Sequence, residues 1–267
     1  MSEQNPIKVS VLMPVYNERA TVAHAVKRVR EVPFEMQIIC VDDCSTDGTH
    51  DVLRELRASG RIDELVTHEV NRGKGAAIRT ALAKATGDVV VIQDADLEYD
   101  PFDILRLLGP IRDGRADAVF GSRFKGDVSR VLYYWHSLGN WGLTTLSNML
   151  TNLNISDIET CYKLVRTDLM KSLPLTSNRF GFEPELTARL AQSRARIYEV
   201  PISYSGRTYA EGKKIRWSDG VAALWHIVRF NLLSPKAPVY RAAIRPSVPP
   251  SEAPLSSSES AAAALPR

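Results

Sequence analysis

The chain has 267 residues, 44% hydrophobic and 24% charged, which is enough apolar material for one large α/β domain or two small ones. Its formal charge of +3, from 34 basic and 31 acidic residues, is too small and too evenly spread for a nucleic-acid binder, although Lys and Arg gather locally in the second half. Three cysteines (Cys40, Cys44 and Cys161) make no paired framework, which argues against a disulfide scaffold and for a reducing, cytoplasmic setting.

The polar start, residues 1–6, carries no signal-peptide core and is expected to be disordered. Ile7 to Met13 reads as a buried strand, broken by Pro14-Val15-Tyr16-Asn17-Glu18 before a helical pattern that runs to about Arg30. Met36 to Val41 is a second strand. It ends in Asp42-Asp43-Cys44-Ser45-Thr46-Asp47-Gly48-Thr49, whose side chains can cap the next helix. Cys40 and Cys44 lack the second pair that a metal site needs and read as small buried thiols. Leu65 to Val70 is a third, weaker strand, followed by Asn71-Arg72-Gly73-Lys74-Gly75 and an Ala-rich helix to about Ala85. Val89 to Ile92, too short for a helix, is a fourth strand that runs into a crowd of carboxylates at Asp94, Asp96 and Glu98. A helix from Pro101 to Arg112 leads to a fifth strand at Ala116 to Phe120 and then to Gly121-Ser122-Arg123-Phe124-Lys125. Strands alternating with helices of this length imply right-handed β-α-β units on a mainly parallel sheet, whose ligands bind beyond the carboxyl ends of the strands. Each unusual loop named here follows a strand, and the first two are expected side by side at one edge of the sheet.

Beyond Gly126 the rhythm changes. Val131 to Asn152 is rich in aromatic and small polar residues and reads as a loop followed by a helix. Asp157 to Val165 is expected to be a further strand. Phe180-Gly181-Phe182-Glu183-Pro184-Glu185 precedes a helix to about Ala191, and Arg196 to Ser203 is a final strand. A basic loop at 206–214 leads to a helix over Trp217 to Leu233. Residues 234–267, dominated by Pro, Ser and Ala, have little to bury and are expected to be a disordered tail. No apolar run approaches the roughly 20 residues that span a bilayer.

Side chains at alternate positions of an extended chain point the same way, so Asp94 and Asp96, with Glu98 next in the series, are expected to converge on one point. Like charges gathered that closely need a cation, and hard oxygen ligands suit Mg²⁺ or Mn²⁺. A bare acidic turn, with Asp100-Pro101 capping the next helix, satisfies the same residues. The loops Pro14 to Glu18 and Asp42 to Asp43 could hold a nucleotide base and ribose, although each taken alone reads first as a turn with caps.

The set Pro-Val-Tyr-Asn-Glu, Val-Asp-Asp-x-Ser-Thr-Asp-Gly-Thr, Asn-x-Gly-Lys-Gly and Gln-Asp-Ala-Asp-Leu-Glu, in this order and spacing, resembles family 2 glycosyltransferases of the GT-A fold. Over about Val9 to Leu233 the chain is most similar to the branch of dolichyl-phosphate mannose synthases and polyprenyl-phosphate glycosyltransferases. The resemblance implies an α/β fold with a Rossmann-like, mainly parallel sheet flanked by helices. It implies a catalytic domain over residues 7–233, divided into a nucleotide-binding half (7–100) and an acceptor-binding half (101–233). Pro14, Tyr16, Glu18 and Asp43 would line the nucleoside pocket, with Asp42 beside it and Lys74 and Ala95 at the nucleotide. Asp94 and Asp96 would be the metal and diphosphate motif, with Glu98 as third metal ligand. Arg123, Arg130 and Arg207 would surround the donor and acceptor phosphates, with Lys213 and Lys214 near anionic groups. Asp157, Tyr162 and Glu183 would shape the sugar pocket.

The implied reaction is transfer of a hexose from a GDP- or UDP-linked sugar to a polyprenyl phosphate, with inversion. A divalent ion would serve as Lewis acid for the leaving diphosphate. A phosphate acceptor brings its own oxyanion, so no general base is needed, and Glu183 is the reserve base for a hydroxyl acceptor. Tyr133, Tyr134, Trp135, Trp217 and Trp225 are candidates for resting on the cytoplasmic face of a membrane, or on a membrane-protein partner. Three other readings stay open: a transferase for hydroxyl acceptors, a nucleotide-sugar-binding module without turnover, and a haloacid dehalogenase-like phosphatase. The last expects a Thr where Leu97-Glu98 stands and leaves the nucleotide loops without a role.

Overall fold

The computed structural model describes residues 6–125, 133–207 and 217–241. The first half follows the expected alternation, with β1 (Val9–Val15), α1 (Val22–Arg30), β2 (Met36–Asp42), α2 (Thr49–Ala58), β3 (Glu64–Thr67), α3 (Lys74–Lys84) and β4 (Val89–Ile92). A single 3₁₀ turn at Pro101–Asp103, capped by the Asp100 carboxylate accepting from the Phe102 amide at 3.0 Å, opens α4 (Ile104–Arg112). Then come β5 (Ala118–Ser122), α5 (Tyr134–Thr151), β6 (Lys163–Arg166), α6 (Thr167–Ser172), α7 (Phe182–Gln192), β7 (Ile197–Pro201) and α8 (Trp217–Val228), which continues as a π-helical turn over Arg229–Leu233.

The seven strands form one sheet in the order β3-β2-β1-β4-β6-β5-β7, with β6 antiparallel to both neighbours and every other pair parallel. The central strands read as unbroken apolar runs because both faces are covered. Val9, Val11, Met13 and Val15 of β1 pack with Val22 and Val26 of α1, Leu53 of α2 and Leu107 of α4, while Leu12 faces the other way, among Ile78 of α3 and Phe182 of α7. Val89 and Val91 of β4 divide from Val90 and Ile92 in the same way, as a two-residue period requires. The β1 and β2 loops are adjacent as expected, but β3 takes the edge, so these loops lie inside the sheet mouth beside that of β4.

Two sequence expectations change. The strand expected over Asp157 to Val165 contracts to Lys163–Arg166. The polar residues before it are spent on side-chain contacts, beginning with Asp157, which is fully buried against Arg123. Because β6 runs antiparallel, its leading end points to the carboxyl ends of its neighbours, and the loop over 157–162 enters the sheet mouth. The tail expected from Ser234 onward starts as packed chain. Ala237 is buried with its amide donating to Gln192 Oε1 at 2.9 Å, and the Tyr240 hydroxyl donates to Asp168 Oδ2 at 2.9 Å. One small residue and one aromatic with a polar tip anchor this stretch without an apolar run.

Between β5 and β7 a single carboxylate does much of the joining. Asp117, almost wholly buried, accepts from Arg196 Nε at 2.9 Å, Nη2 at 2.8 Å and the Arg196 amide at 3.0 Å. Burial pushes this carboxyl upward, but the Arg196 hydrogen bonds outweigh it and hold it below its ordinary value. A depressed acid stabilises the fold above its unfolded value of about 3.9, and that contribution disappears as pH falls through the folded value. Arg196 is half exposed, so Asp117→Asn should cost about 1–2 kcal/mol at pH 7, less than a fully buried pair would. Urea melts at pH 7 and pH 3 check this: the gap between variant and parent should narrow at pH 3.

Candidate active site

The first two loops are stitched to each other by their polar residues. The Asn17 amide donates to Ser45 Oγ at 3.0 Å, the Thr46 amide to Asn17 Oδ1 at 2.8 Å, and the Glu18 amide to Thr49 Oγ1 at 3.0 Å. Asn17 sits at φ 53°, in the left-handed region that Asn tolerates. Pro14 is partly buried on β1, and Tyr16 keeps 42% of its surface exposed at the mouth.

Asp42 and Asp43 are both nearly out of solvent and both engaged by protein. Asp42 accepts from the Ser45 amide at 3.0 Å and meets His50 Nδ1 at 3.1 Å. Asp43 meets His68 Nδ1 at 2.7 Å and accepts from the amides of Arg72 at 2.9 Å and Gly73 at 2.7 Å. Both carboxylates therefore brace the loops that follow β2 and β3.

What Asp43 holds is the start of α3. Gly73, at φ 90°, lies so close to the 177–178 backbone that a Cβ there would sit 2.5 Å from the Asn178 carbonyl oxygen. Only glycine meets both demands. The next residue, Lys74, points into the mouth, with Nζ 3.0 Å from Asp94 Oδ1, 3.1 Å from Glu183 Oε1 and 2.9 Å from Cys161 Sγ. Burial alone would depress the Lys74 ammonium, but Asp94, Cys161 and Glu183 outweigh it and hold the group firmly charged.

Asp94 and Asp96 follow β4, with Ala95 buried between them. The alternation expected to carry on to Glu98 breaks at Leu97, whose φ of 65° turns the chain. Glu98 therefore faces Tyr204 and Arg207: it accepts from the Tyr204 hydroxyl at 2.7 Å, the Arg207 amide at 2.9 Å and Arg207 Nε at 3.3 Å. Arg207 Nη2 reaches on to Asp96 Oδ2 at 3.1 Å and Glu18 Oε1 at 3.7 Å. Glu98, expected as third metal ligand, is thus engaged by Tyr204 and Arg207 and turned away from the line of Asp94 and Asp96. Asp96 is pushed up to about 7, first by burial and then by the charges of Asp94 and Glu98. A carboxylate under such stress fits a divalent cation, and two carboxylates with substrate phosphates suffice for Mg²⁺ or Mn²⁺.

Arg123 enters the mouth from the end of β5 and is held in a two-point pair by Asp157, Nε to Oδ2 at 2.6 Å and Nη2 to Oδ1 at 2.7 Å. Its guanidinium also lies 5.1 Å from the centroid of the Tyr204 ring. Asp157 is thus a positioning residue for Arg123. Tyr162, expected in the sugar pocket, is corrected to core: it is fully buried, stacked on Tyr99 at 4.7 Å, with its hydroxyl on Gln93. Glu183 does reach the site, through Lys74. Arg130, Lys213 and Lys214 lie outside the described residues, as does the side chain of Trp217. Glu159, Thr160, Cys161 and Tyr204 were not anticipated. The polar residues interrupting an expected strand at 157–163 are the signal that was present for the first three.

Comparison with known proteins agrees with this arrangement. Residues 10–173 match the model of Glycosyl transferase family 2. An undecaprenyl-phosphate mannosyltransferase of Micrococcus luteus is 30% identical over 247 residues, covering 85% of this chain and 99% of that protein. A low-salt glycan biosynthesis hexosyltransferase of Haloferax volcanii is 30% identical over 87% of this chain but 54% of its own length, and a dolichol-phosphate mannosyltransferase of Pyrococcus furiosus is 26% identical over 78% and 59%. The chain therefore spans little more than half of those two relatives. Glucosyl-3-phosphoglycerate synthase of Mycobacterium tuberculosis, solved with Mn²⁺ and UDP, superposes with a TM-score of 0.65 at 21% identity, covering 84% of this chain and 80% of that one. Mannosyl-3-phosphoglycerate synthase of Rubrobacter xylanophilus gives 0.66 at 20%, covering 84% and 72%. These likenesses confirm the GT-A fold. With its motif loops gathered at one sheet mouth and a family model matching more than half its length, the chain belongs to glycosyl transferase family 2.

Proposed function

We propose that the chain is a metal-dependent, inverting hexosyltransferase that moves a sugar from a GDP- or UDP-linked donor to a polyprenyl phosphate. The observation that carries this reading is the pairing of two acids, Asp94 and Asp96, with two cations, Lys74 and Arg207, at one strand end. Asp94 and Asp96 would hold Mg²⁺ or Mn²⁺, which when bound supplies the positive charge that a departing diphosphate needs. Lys74 and Arg207 orient the phosphates and share that charge, and Arg123, locked by Asp157, presents a rigid donor fork to an acceptor phosphate. Glu183, the reserve base, has Oε1 occupied by Lys74 at 3.1 Å. An acceptor that arrives as an oxyanion fits such a site better than a hydroxyl does. Pro14, Tyr16 and Glu18 would meet the nucleoside.

A lipid acceptor implies a seat at a membrane surface. No helix among the described residues is long and apolar enough to cross a bilayer. α5 and α8 pack together and expose Tyr134, Trp135, Leu138 and Trp141 on the first and Val221, Leu224 and Trp225 on the second. Aromatic side chains with polar tips suit the headgroup level. The test is label transfer from GDP-mannose and UDP-glucose to extracted polyprenyl phosphate with Mg²⁺ or Mn²⁺, alongside sedimentation with anionic vesicles. Lipid-linked product is expected, as is at least a tenfold loss of vesicle binding when Trp135, Trp141 and Trp225 become Ser. No lipid-linked product with any donor would sink the reading and leave the hydroxyl-acceptor and non-catalytic alternatives.

A further inference from the structure

Two buried glutamates in the first turn of α7 have contrasting surroundings. Glu185 is fully satisfied, accepting from the amides of Thr176 and Ser177 and from the Thr176 hydroxyl. Glu183, only 3% exposed, uses Oε1 on Lys74, while Oε2 is buried without a partner. The loop before β6 repeats the contrast. Asp157 is consumed by Arg123, whereas Glu159 Oε1 and Thr160 Oγ1 are buried and unpartnered. Lys163 stiffens this loop from below, with Nζ donating to the carbonyl oxygens of Ile158 at 2.8 Å and Thr160 at 2.6 Å. Glu159 and Glu183 sense each other: burial first, then the Glu183 charge, lifts Glu159 to about 7.

Each buried polar atom without a partner costs about 1–3 kcal/mol, so native folds seldom keep such atoms unless something fills them. An occupant that donates hydrogen bonds to these carboxylate and hydroxyl oxygens would satisfy them. Lys74 joins this cluster to Asp94, so the occupant lies next to the expected diphosphate.

We infer that Glu159, Thr160 and Glu183 recognise the hydroxyl groups of the transferred sugar and set which hexose is accepted, in place of the expected Asp157 and Tyr162. This rests on the glycosyltransferase reading above. Calorimetry with Mn²⁺ compares UDP with UDP-glucose and GDP with GDP-mannose, on the parent chain and on Glu159→Met and Thr160→Val. Both variants should bind the bare diphosphates within twofold of the parent but bind the preferred nucleotide sugar at least tenfold more weakly. Glu159→Met should melt no lower than the parent, because it removes a desolvated carboxyl whose Oε1 has no partner; a purely structural Glu159 would lower the melt. As a second measurement on the parent alone, monodeoxy analogues of the preferred sugar should include one that loses at least tenfold in affinity. Unchanged sugar binding in both variants, or no sensitive hydroxyl, overturns the inference alone and leaves bound water as the occupant. A parent chain that binds none of these nucleotide sugars overturns both the inference and the reading beneath it.

Discussion

Asp96→Ala should lower the rate of sugar transfer by at least about 10³-fold, the scale expected when a preorganised charge at a leaving group is removed. The same variant should lose Mn²⁺ binding in the presence of the nucleoside diphosphate, read by electron paramagnetic resonance. Its melting temperature should stay near the parent's. Asp96 is partly buried beside Asp94 and Glu98, so its carboxylate is electrostatically uncomfortable in the fold, and Arg207 keeps Glu98 and Glu18 as partners once Asp96 is gone. Loss of activity with retained fold separates a metal-and-phosphate role from a structural one. An Asp96→Ala enzyme that still turns over would remove Asp96 from the mechanism.

Asp157→Ala should behave in the opposite way, with a large effect on stability. Its carboxylate is fully buried and is the two-point partner of Arg123, a guanidinium that is itself mostly enclosed. Breaking one side of such a pair leaves an uncompensated charge and costs about 3–5 kcal/mol. For a chain of this size that corresponds to a melting temperature lower by roughly 6–20 °C. The double replacement Arg123→Met with Asp157→Leu should recover most of that loss in urea melts, since an apolar pair of similar volume avoids the desolvation of two ions. Transfer should remain absent in the double variant, because the guanidinium fork is gone. If Asp157→Ala melts with the parent, the pair is not the anchor described.

The parts of this molecule that were legible in sequence are those governed by local periodicity. Val89–Ile92 was readable to the residue because four apolar residues between polar ones can only be a short covered strand. Gly73 and Lys74 were readable as a strand-end loop leading into a helix. The direction of Glu98 was not, because it turns on the single left-handed residue Leu97, and leucine carries no local signal for that conformation. Nor was the role of Asp157 to Tyr162. An apolar run interrupted by polar residues predicts a strand, and only the antiparallel insertion of β6 between β4 and β5 turns that run into a mouth loop. Arg207 lies more than a hundred residues from Asp96, and no pattern within either segment announces their contact at 3.1 Å.

The bonds made by Asp43 have a practical corollary. One carboxylate receives His68 at the end of β3 and the amides of Arg72 and Gly73, and the residue that follows aims its ammonium at Asp94. Position 43 is therefore a hinge pin shared by two tasks, shaping the wall where a base would rest and aiming the cation that would meet its phosphates. Anyone seeking to retune donor preference by substitution at position 43 should expect turnover to fall along with selectivity. Tyr16, exposed at the mouth, offers a second handle, though its neighbour Val15 accepts from the Asp43 amide at 2.9 Å, so changes at the two positions should be tested together.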